Sequence, residues 1–177
     1  MRTYNQHRQL GNLIDVCIEV QGHKIYAHKI VLAASSNYFM SIFRKTNQAF
    51  YENKNPGLVN LDHLNPDAVE LIVNFIYTWD IEIQRPSLDV ILEAASYLQM
   101  DKILGKCDQF MIREFEKDYF GRVKGRNGNE WNQKVIDLAA MFERKEVLKE
   151  IWDMVHSYRF AESGYMYKFP SDLNTSY

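Results

Sequence analysis

The spacing of apolar residues changes within one short stretch, residues 12–43, and this change limits the folds open to the chain. Val16, Ile18 and Val20 alternate along the sequence, which is the pattern of a half-buried strand. A turn at residues 21–23 follows, and the next four residues predict a second strand that would complete a hairpin.

A helical spacing begins at His28 and continues to the end of this stretch. The apolar residues that carry it are Ile30, Val31, Ala34, Tyr38, Phe39, Ile42 and Phe43. Polar residues at 35–37 interrupt the run and offer side chains that cap helix N-termini. We therefore expect a hairpin followed by two short helices.

The remainder of the first two thirds of the chain predicts one more strand and three longer helices. Asn65 is a favourable N-cap, and Pro66 suits the first turn of a helix that is apolar nearly all round and therefore central. The expected segments are a first helix at 4–10, a loop at 44–57, a strand at 58–61, the central helix to Tyr77, an extended piece at 81–83, and helices at 86–98 and 101–115.

The order of these elements resembles the BTB/POZ domain family. The resemblance is carried by Asp15-Val16, Gly22, Ala27 to Lys29, Val31 to Ser36, Tyr38-Phe39, Leu64 to Ala68, Phe75 to Thr78, Ile91 to Met100, and Cys107. These residues span roughly positions 8–117, about two thirds of the chain. The resemblance implies an α+β fold, in which a small β-sheet flanks a cluster of helices. It also implies a homodimeric module that binds proteins and is not an enzyme.

Four segments are expected along the chain: a BTB domain at 1–118, a connector at 119–130, a helical hairpin at 131–160 and a weakly ordered tail at 161–177. The connector is rich in glycine and basic residues, which favours a flexible linker. The hairpin resembles the start of the BACK region in kelch-like adaptors, or a shorter box that extends a cullin-binding surface. It is too short for a complete BACK region.

Composition argues against nucleic-acid binding and membrane insertion. The net charge is −2 and the pI is about 6.2, so the chain lacks a strongly basic character. No apolar run reaches the ~18 residues that a membrane span needs, and the first residues lack an apolar signal-peptide core. Cys17 and Cys107 both sit in core-like patterns, which predicts free thiols in a reducing compartment. We expect a cytoplasmic or nuclear protein.

The sequence offers little chemistry for catalysis. None of the five histidines lies four residues from another His or Cys, so no zinc site is expected, and no phosphate-binding glycine motif occurs. His28 is expected to be structural. Asp15 is expected near Lys29 as a partly buried pair, which in some BTB proteins belongs to a peptide-recruiting pocket. We expect no cofactor, no metal and no enzymatic activity.

The family resemblance implies a site for the cullin-3 ubiquitin-ligase scaffold. Many BTB proteins that bind this scaffold carry an apolar residue, any residue and a Glu after the second helix of the pair. Phe50-Tyr51-Glu52 fits by location, although five other places match by spacing alone. An exposed Phe can anchor in an apolar groove while the Glu fixes orientation. The expected site is Phe50, Glu52, Tyr38, Met40, Tyr97, Met100 and Asp101; the alternative is an ordinary loop aromatic.

A homodimer surface is the second implication of the resemblance. It assigns the two-fold contact to the first helix and to the first helix after the hairpin. The expected residues are Tyr4, Leu10, Leu13, Ile30, Val31 and Ala34. Ile30 and Val31 cannot face the same way, because neighbouring helix positions are about 100° apart. One of the two is expected to face the partner.

The function expected from the sequence is that of a substrate adaptor in a cullin-3 ubiquitin ligase. The domain would dock the scaffold as a homodimer and bring in an unidentified substrate protein. One alternative is a transcriptional or chromatin scaffold that recruits corepressor peptides, and another is a regulatory subunit that only multimerises its partner. The chain has no kelch-like repeats or zinc fingers, so substrate binding would fall to the helical hairpin and tail or to a longer protein.

Overall fold

The computed structural model describes residues 2–45, 57–121, 129–157 and Pro170. Contacts divide the chain into two compact units, Met1–Leu104 and Gly105–Tyr177. Most of the predicted loop at 44–57, much of the connector and nearly all of the tail lie outside the described residues.

The described residues form eight helices, a 3₁₀ turn and three strands. They are α1 (Arg2–Gln9), β1 (Val16–Val20), β2 (His23–Ala27), α2 (Lys29–Ser35), α3 (Asn37–Lys45), β3 (Gly57–Asn60), α4 (Pro66–Thr78), the 3₁₀ turn Arg85–Ser87, α5 (Leu88–Tyr97), α6 (Asp101–Gly121), α7 (Asn129–Met141) and α8 (Lys145–Ser157). A small sheet among helices confirms the α+β class expected from the sequence.

The sheet has the strand order β2-β1-β3, with β1 in the centre. β1 and β2 form the predicted antiparallel hairpin, and Gln21 and Gly22 both take positive φ in the turn, at 50° and 84°. β3 runs parallel to β1, with Val16 opposite Gly57. β1 has a neighbouring strand on each side. Cys17 is therefore buried together with Val16, Ile18 and Val20, so the strand is more buried than the alternating pattern predicted.

Ser36 ends α2 and begins α3, as the polar run predicted. Its hydroxyl oxygen accepts a hydrogen bond from the backbone N–H of Phe39 at 3.2 Å, which is N-cap geometry. The same hydroxyl donates to the carbonyl oxygen of Leu98 at 2.6 Å, at the end of α5. One buried side chain therefore separates the two short helices and joins them to a third.

The central helix of the first unit is α4. The Asn65 side chain accepts from the backbone N–H of Ala68 at 3.1 Å, and Pro66 occupies the first turn, as predicted. The helix ends at Trp79, which takes a left-handed φ of 63°. The predicted extended piece at 81–83 forms no strand. The largest fully buried side chains of this unit include Leu32, Phe39, Ile72, Ile76, Tyr77 and Leu92.

The second unit contains most of α6 together with α7 and α8. α7 and α8 form a helical hairpin, and α6 continues to Gly121. The Arg144 guanidinium, at the turn between α7 and α8, donates from Nε to Asp108 Oδ1 at 2.8 Å and from Nη2 to Asp108 Oδ2. A charge-assisted bidentate pair thus ties that turn to α6. Fully buried side chains here include Cys107, Met111, Phe115, Val135 and Ile151.

Candidate protein-interaction surfaces

Large apolar side chains are exposed on α1, on the segment after it and on α2. Their exposed fractions are 54% for Tyr4, 74% for Leu10, 83% for Leu13 and 73% for Ile30, and Ala34 is also exposed. We name these five residues the α1–α2 surface. Such residues usually mark a contact when they lie near one another, because water solvates them poorly.

Val31 requires a correction to the predicted dimer residues. Its side chain is only 8% exposed, whereas that of neighbouring Ile30 is 73% exposed. The rotation of about 100° between the two positions turns Val31 into the core of its own chain. Ile30 is therefore the member of this pair that is available to a partner.

A buried hydrogen-bond network holds the segment between α1 and β1. The His28 ring bonds on both sides, with Nδ1 2.8 Å from the Tyr77 hydroxyl oxygen and Nε2 2.9 Å from the carbonyl oxygen of Asn12. The Tyr77 hydroxyl also accepts from the backbone N–H of His28 at 2.9 Å. These bonds confirm the structural role predicted for His28 and link the start of α2 to the residue next to Leu13.

Arg8 connects α1 to α4 next to this network. Its guanidinium donates to the side-chain oxygen of Asn74, and its central carbon lies 4.7 Å from the centroid of the Tyr77 ring. Burial lowers the pKa of Arg8, opposed by the charges of Tyr77 and Glu70, and burial raises the pKa of Tyr77. Sequence analysis gave Arg8 no role, since its partner on α4 is distant in the chain.

Tyr38 and Tyr97 come together from α3 and α5, and both belong to the predicted cullin site. Their ring centroids are 5.0 Å apart. Burial, followed by a hydrogen bond with Tyr97, raises the pKa of Tyr38 to about 12. His63 packs edge-on against Tyr97 with centroids 4.3 Å apart, and sequence analysis did not include it. We name Tyr38, Tyr97 and His63 the aromatic cluster.

The other predicted cullin residues differ in placement. Met40 is half-buried and Asp101 is exposed. Met100 is only 3% exposed, which corrects its prediction as a surface contact, because its side chain packs inward and lines a cavity. Phe50 and Glu52 lie outside the described residues.

The cavity that Met100 lines lies between α2, the end of α4 and the start of α6. Its volume is about 190 Å³, and its lining includes Ala34, Phe75, Trp79, Met100, Asp101 and Lys102. The Lys102 ammonium lies 3.9 Å from the centroid of the Trp79 ring, which is a cation–π contact. The cavity therefore combines apolar walls with a cation and a carboxylate. Ala34 belongs both to it and to the α1–α2 surface.

Asp15 holds the N-terminus of α2. Its carboxylate accepts a hydrogen bond from the backbone N–H of Lys29 at 2.7 Å, and the Asp15 side chain is exposed. The sequence predicted a partly buried pair between these side chains. The contact that the structure shows satisfies a backbone donor in the first turn of the helix, which a carboxylate does well at that end.

The described residues provide no assembled metal centre. No group of three His, Cys, Asp or Glu side chains among them is arranged to hold a metal ion. Cys17 and Cys107 are free and buried, and burial raises the pKa of the Cys107 thiol to about 12, which suppresses its nucleophilic thiolate. No described helix is both long enough and apolar enough to cross a bilayer.

The family model for the BTB/POZ domain matches residues 4–114. The chain belongs to the BTB/POZ domain family. The match ends inside α6, and it includes the α1–α2 surface, the aromatic cluster and the cavity. A BTB domain is a protein-interaction module, so the exposed apolar residues of its first unit are the surfaces to which function is best assigned.

Two groups of curated relatives resemble the BTB domain. Mouse zinc finger and BTB domain-containing protein 43 is 40% identical over 111 residues, which are 63% of this chain and 22% of the relative. The influenza virus NS1A-binding protein homolog of Xenopus laevis is 31% identical over 112 residues, which are 63% of this chain and 17% of the relative. The chain thus spans about a fifth of the length of these relatives.

A solved structure confirms the fold. The BTB domain of zebrafish PATZ1 superposes with a TM-score of 0.54 at 26% sequence identity. The match covers 62% of this chain and 85% of that domain. The family and the α+β fold inferred from the sequence are therefore confirmed.

Proposed function

We propose that this BTB domain forms a homodimer through the α1–α2 surface and serves as a substrate adaptor of a cullin-3 ubiquitin ligase. The observation that carries the proposal is the exposure of Tyr4, Leu10, Leu13 and Ile30 on one compact unit. A two-fold contact contains each of these residues twice, one copy from each subunit, so each residue contributes twice to the buried area. Full burial of one large aliphatic side chain contributes about 1.5–3 kcal/mol, and the sum over both subunits opposes an association cost of roughly 4–15 kcal/mol.

The scaffold would bind at the aromatic cluster, together with Phe50 and Glu52. Tyr38 and Tyr97 present large, partly exposed rings that hold each other in place, and aromatic anchors dominate the energetics of interfaces. Met40 and Asp101 would extend this site, and Met100 would support it from below.

The segments beyond the BTB domain would bring in the substrate. We assign 1–118 to the BTB domain, 119–130 to a connector, 131–160 to a helical hairpin that is either a partial BACK-like region or a cullin-box extension, and 161–177 to a tail. The proposed compartment is the cytoplasm or the nucleus. The name of one group of relatives refers to binding a viral protein, which is consistent with an adaptor that presents other proteins.

The second candidate is a transcriptional scaffold that recruits corepressor peptides. Two observations favour it: the cavity beside Trp79 and Lys102, and the 40% identity to a zinc finger and BTB domain-containing protein. A peptide with an apolar side chain would enter the cavity, and an acidic group on it would meet the Lys102 ammonium. The third possibility, a subunit that only multimerises, uses the α1–α2 surface alone.

Light scattering on a sizing column distinguishes these functions. The chain is run alone and mixed with the N-terminal half of the cullin-3 scaffold. The proposal expects a dimer alone and a 2:2 complex in the mixture, with the complex lost when Phe50 and Glu52 are both replaced by alanine. A dimer that ignores the scaffold would reject the adaptor function and favour the peptide-recruiting scaffold, and a monomer would reject the α1–α2 surface.

A further inference from the structure

The Tyr97 ring of the aromatic cluster depends on other elements for its orientation. Tyr97 is the last residue of α5 and is 42% exposed, and an exposed side chain at a helix end can turn between staggered rotamers. Two rings contact it. His63 meets it edge-on, with centroids 4.3 Å apart and planes at 66°, and Tyr38 lies with centroids 5.0 Å apart and planes at 50°. These two contacts therefore determine where the Tyr97 ring points.

The two neighbouring rings are held in different ways. Tyr38 is half-buried on α3, so the helix and its packing fix its position. His63 is exposed and lies between β3 and α4, where neither a helix nor burial fixes it. His63 can direct Tyr97 only if the backbone that carries it is rigid.

The backbone around His63 forms a closed turn with both ends in the core. The Leu64 N–H donates to the carbonyl oxygen of Leu61 at 2.9 Å, and the Leu61 N–H donates to the carbonyl oxygen of Glu19 on β1 at 2.8 Å. Leu61 is 0% exposed and Leu64 is 1% exposed, whereas Asp62 and His63 between them face water. The turn thus presents His63 from a fixed base.

The β1–β2 hairpin turn supports this base through Gln21. The backbone N–H of Gln21 donates to Asp62 Oδ1 at 2.6 Å, and its side-chain Nε2 donates to the carbonyl oxygen of Leu64 at 2.9 Å. Asn60 Nδ2 donates to the other carboxylate oxygen of Asp62 at 2.7 Å. These bonds hold the residue before His63 and the residue after it.

The Asp62 carboxylate keeps this support in place at neutral pH. A hydrogen bond from the Asn60 side chain, followed by one from the Gln21 backbone, lowers the pKa of Asp62, and the charge of His63 acts in the same direction. The carboxylate is therefore ionised, and its bond to the Gln21 N–H is charge-assisted.

We propose that His63 is a positioning residue, which Gln21 holds in place and which directs the Tyr97 ring toward the cullin scaffold. The effect on scaffold affinity rests on the proposed function. The effect on the Tyr97 ring does not, because every contact that defines it lies within the first unit of one subunit. A ring that is oriented before binding loses less rotational freedom when the partner arrives, so the affinity rises.

The test combines two measurements on the full chain. NMR coupling constants of labelled tyrosines, with Tyr97 assigned from its absence in Tyr97→Phe, report how many rotamers the ring occupies. Calorimetry with the N-terminal half of the cullin-3 scaffold reports the dissociation constant. We expect one rotamer in the wild type. In His63→Ala we expect several rotamers and a dissociation constant about fivefold higher, with the urea midpoint unchanged because His63 is exposed.

Two further variants distinguish positioning from ordinary support of the fold. His63→Phe keeps a ring that can meet Tyr97 edge-on, so it should restore the single rotamer and bring the dissociation constant within about twofold of the wild type. General damage to the loop would not be rescued in this way. His23→Ala removes another exposed histidine of the first unit, on β2, and is the matched control that should leave both measurements unchanged.

Gln21→Asn tests the support from the hairpin turn. Asparagine tolerates the left-handed φ of 50° at this position, but its shorter side chain does not reach the Leu64 carbonyl. The scaffold dissociation constant should rise about threefold. Adding His63→Ala should then cause no more loss than His63→Ala alone, because both changes act through the same ring. Additive losses would overturn the role of Gln21.

The outcomes separate this inference from the proposed function. A single Tyr97 rotamer in His63→Ala would overturn the positioning role, whatever the scaffold does. Unchanged scaffold affinity in a variant whose Tyr97 occupies several rotamers would overturn the link to binding. A wild-type chain that ignores the scaffold would reject the proposed function, and the rotamers of Tyr97 alone would then decide whether His63 positions the ring.

Discussion

The hydroxyl of Ser36 donates to the carbonyl oxygen of Leu98 and accepts from the backbone N–H of Phe39, so one side chain ends α2, caps α3 and fixes α5. Its residue is only 3% exposed, which means that water cannot replace either bond. The Ser36 hydroxyl therefore links α2, which contributes to the cavity wall, with α3 and α5, which contribute Tyr38 and Tyr97 to the aromatic cluster.

Replacing Ser36 by alanine should destabilise the domain by about 2 kcal/mol, because it removes an N-cap and leaves the Leu98 carbonyl without this donor. Urea unfolding followed by circular dichroism measures the change. Ser41→Ala is the matched control, since the Ser41 hydroxyl donates to the Tyr38 carbonyl on an exposed surface, and its effect should stay within about 0.5 kcal/mol. Equal effects of the two variants would contradict a special role for Ser36.

Ile30 and Val31 should respond in opposite ways to a charge. Ile30→Asp should keep the fold and raise the dimer dissociation constant about 100-fold or more, because the two-fold axis places an unpaired charge in each half of the contact. Val31→Asp should instead lower the free energy of unfolding by about 3 kcal/mol or more, because its side chain is buried. Light scattering and urea unfolding separate the two effects.

Leu58→Asp is the control for this pair. Leu58 is 59% exposed on β3 in the same unit, so it matches Ile30 in size and exposure but lies outside the α1–α2 surface. The Leu58 variant should remain dimeric. If Ile30→Asp is also dimeric, the homodimer uses another surface.

Tyr97→Ala should weaken scaffold binding about tenfold or more, because it removes an anchor and leaves Tyr38 and His63 without their shared contact. Isothermal titration calorimetry with the N-terminal half of the cullin-3 scaffold measures the loss. Phe120→Ala, at an aromatic residue of similar exposure on α6, serves as the control and should bind normally. Normal binding by the Tyr97 variant would exclude the aromatic cluster from the site.

The Cys107 thiol should be almost inert in the folded protein. In a Cys17→Ser background, alkylation by iodoacetamide should be at least about 1,000-fold slower in buffer than in urea, because reaction must wait for an opening of the second unit. Fast alkylation of the native chain would show that this unit opens far more readily than its buried residues indicate.

Because of the same thiol, the free energy of unfolding should depend on pH in the alkaline range. Burial raises the pKa of Cys107 from a usual 9.0 to about 12, helped by the charge of Asp108. The folded state therefore holds a proton that the unfolded state releases, so this contribution to stability is complete below pH 9.0 and declines as the pH rises toward 12. The urea midpoint should fall over that range, and it should fall less steeply in Cys107→Ala.

Local structure could be predicted from the sequence wherever a contact between residues close in the chain decides the conformation. Asn65 and Pro66 act within one helical turn, and so does Ser36 toward Phe39. Alternation along β1 and the turn around Gly22 predicted the hairpin, whose register the structure then supplied. These features depend on neighbours along the chain, which a pattern of residues records directly.

Long-range placement could not be predicted in the same way. The choice between Ile30 and Val31 depends on how α2 is rotated on α4, and the periodicity of a short helix leaves that rotation open. His63 joins Tyr97 across 34 residues, and no spacing rule links a loop residue to the end of another helix. Met100 looked suitable for a surface, but it lines the cavity because the chain reverses at Gln99, whose φ is positive at 53°.

The parallel pairing of β1 with β3 has a consequence for synthesis of the chain on the ribosome. β2 joins β1 as soon as the hairpin turn emerges, but the other side of β1 must wait for Gly57, opposite Val16. At roughly 5–20 residues per second, the intervening segment of about 40 residues leaves that edge of β1 open for a few seconds in each round of translation. During this interval the most apolar strand of the domain offers unpaired backbone groups to neighbouring nascent chains. A domain that binds partner proteins through its folded surfaces is thus most exposed to wrong partners before those surfaces exist.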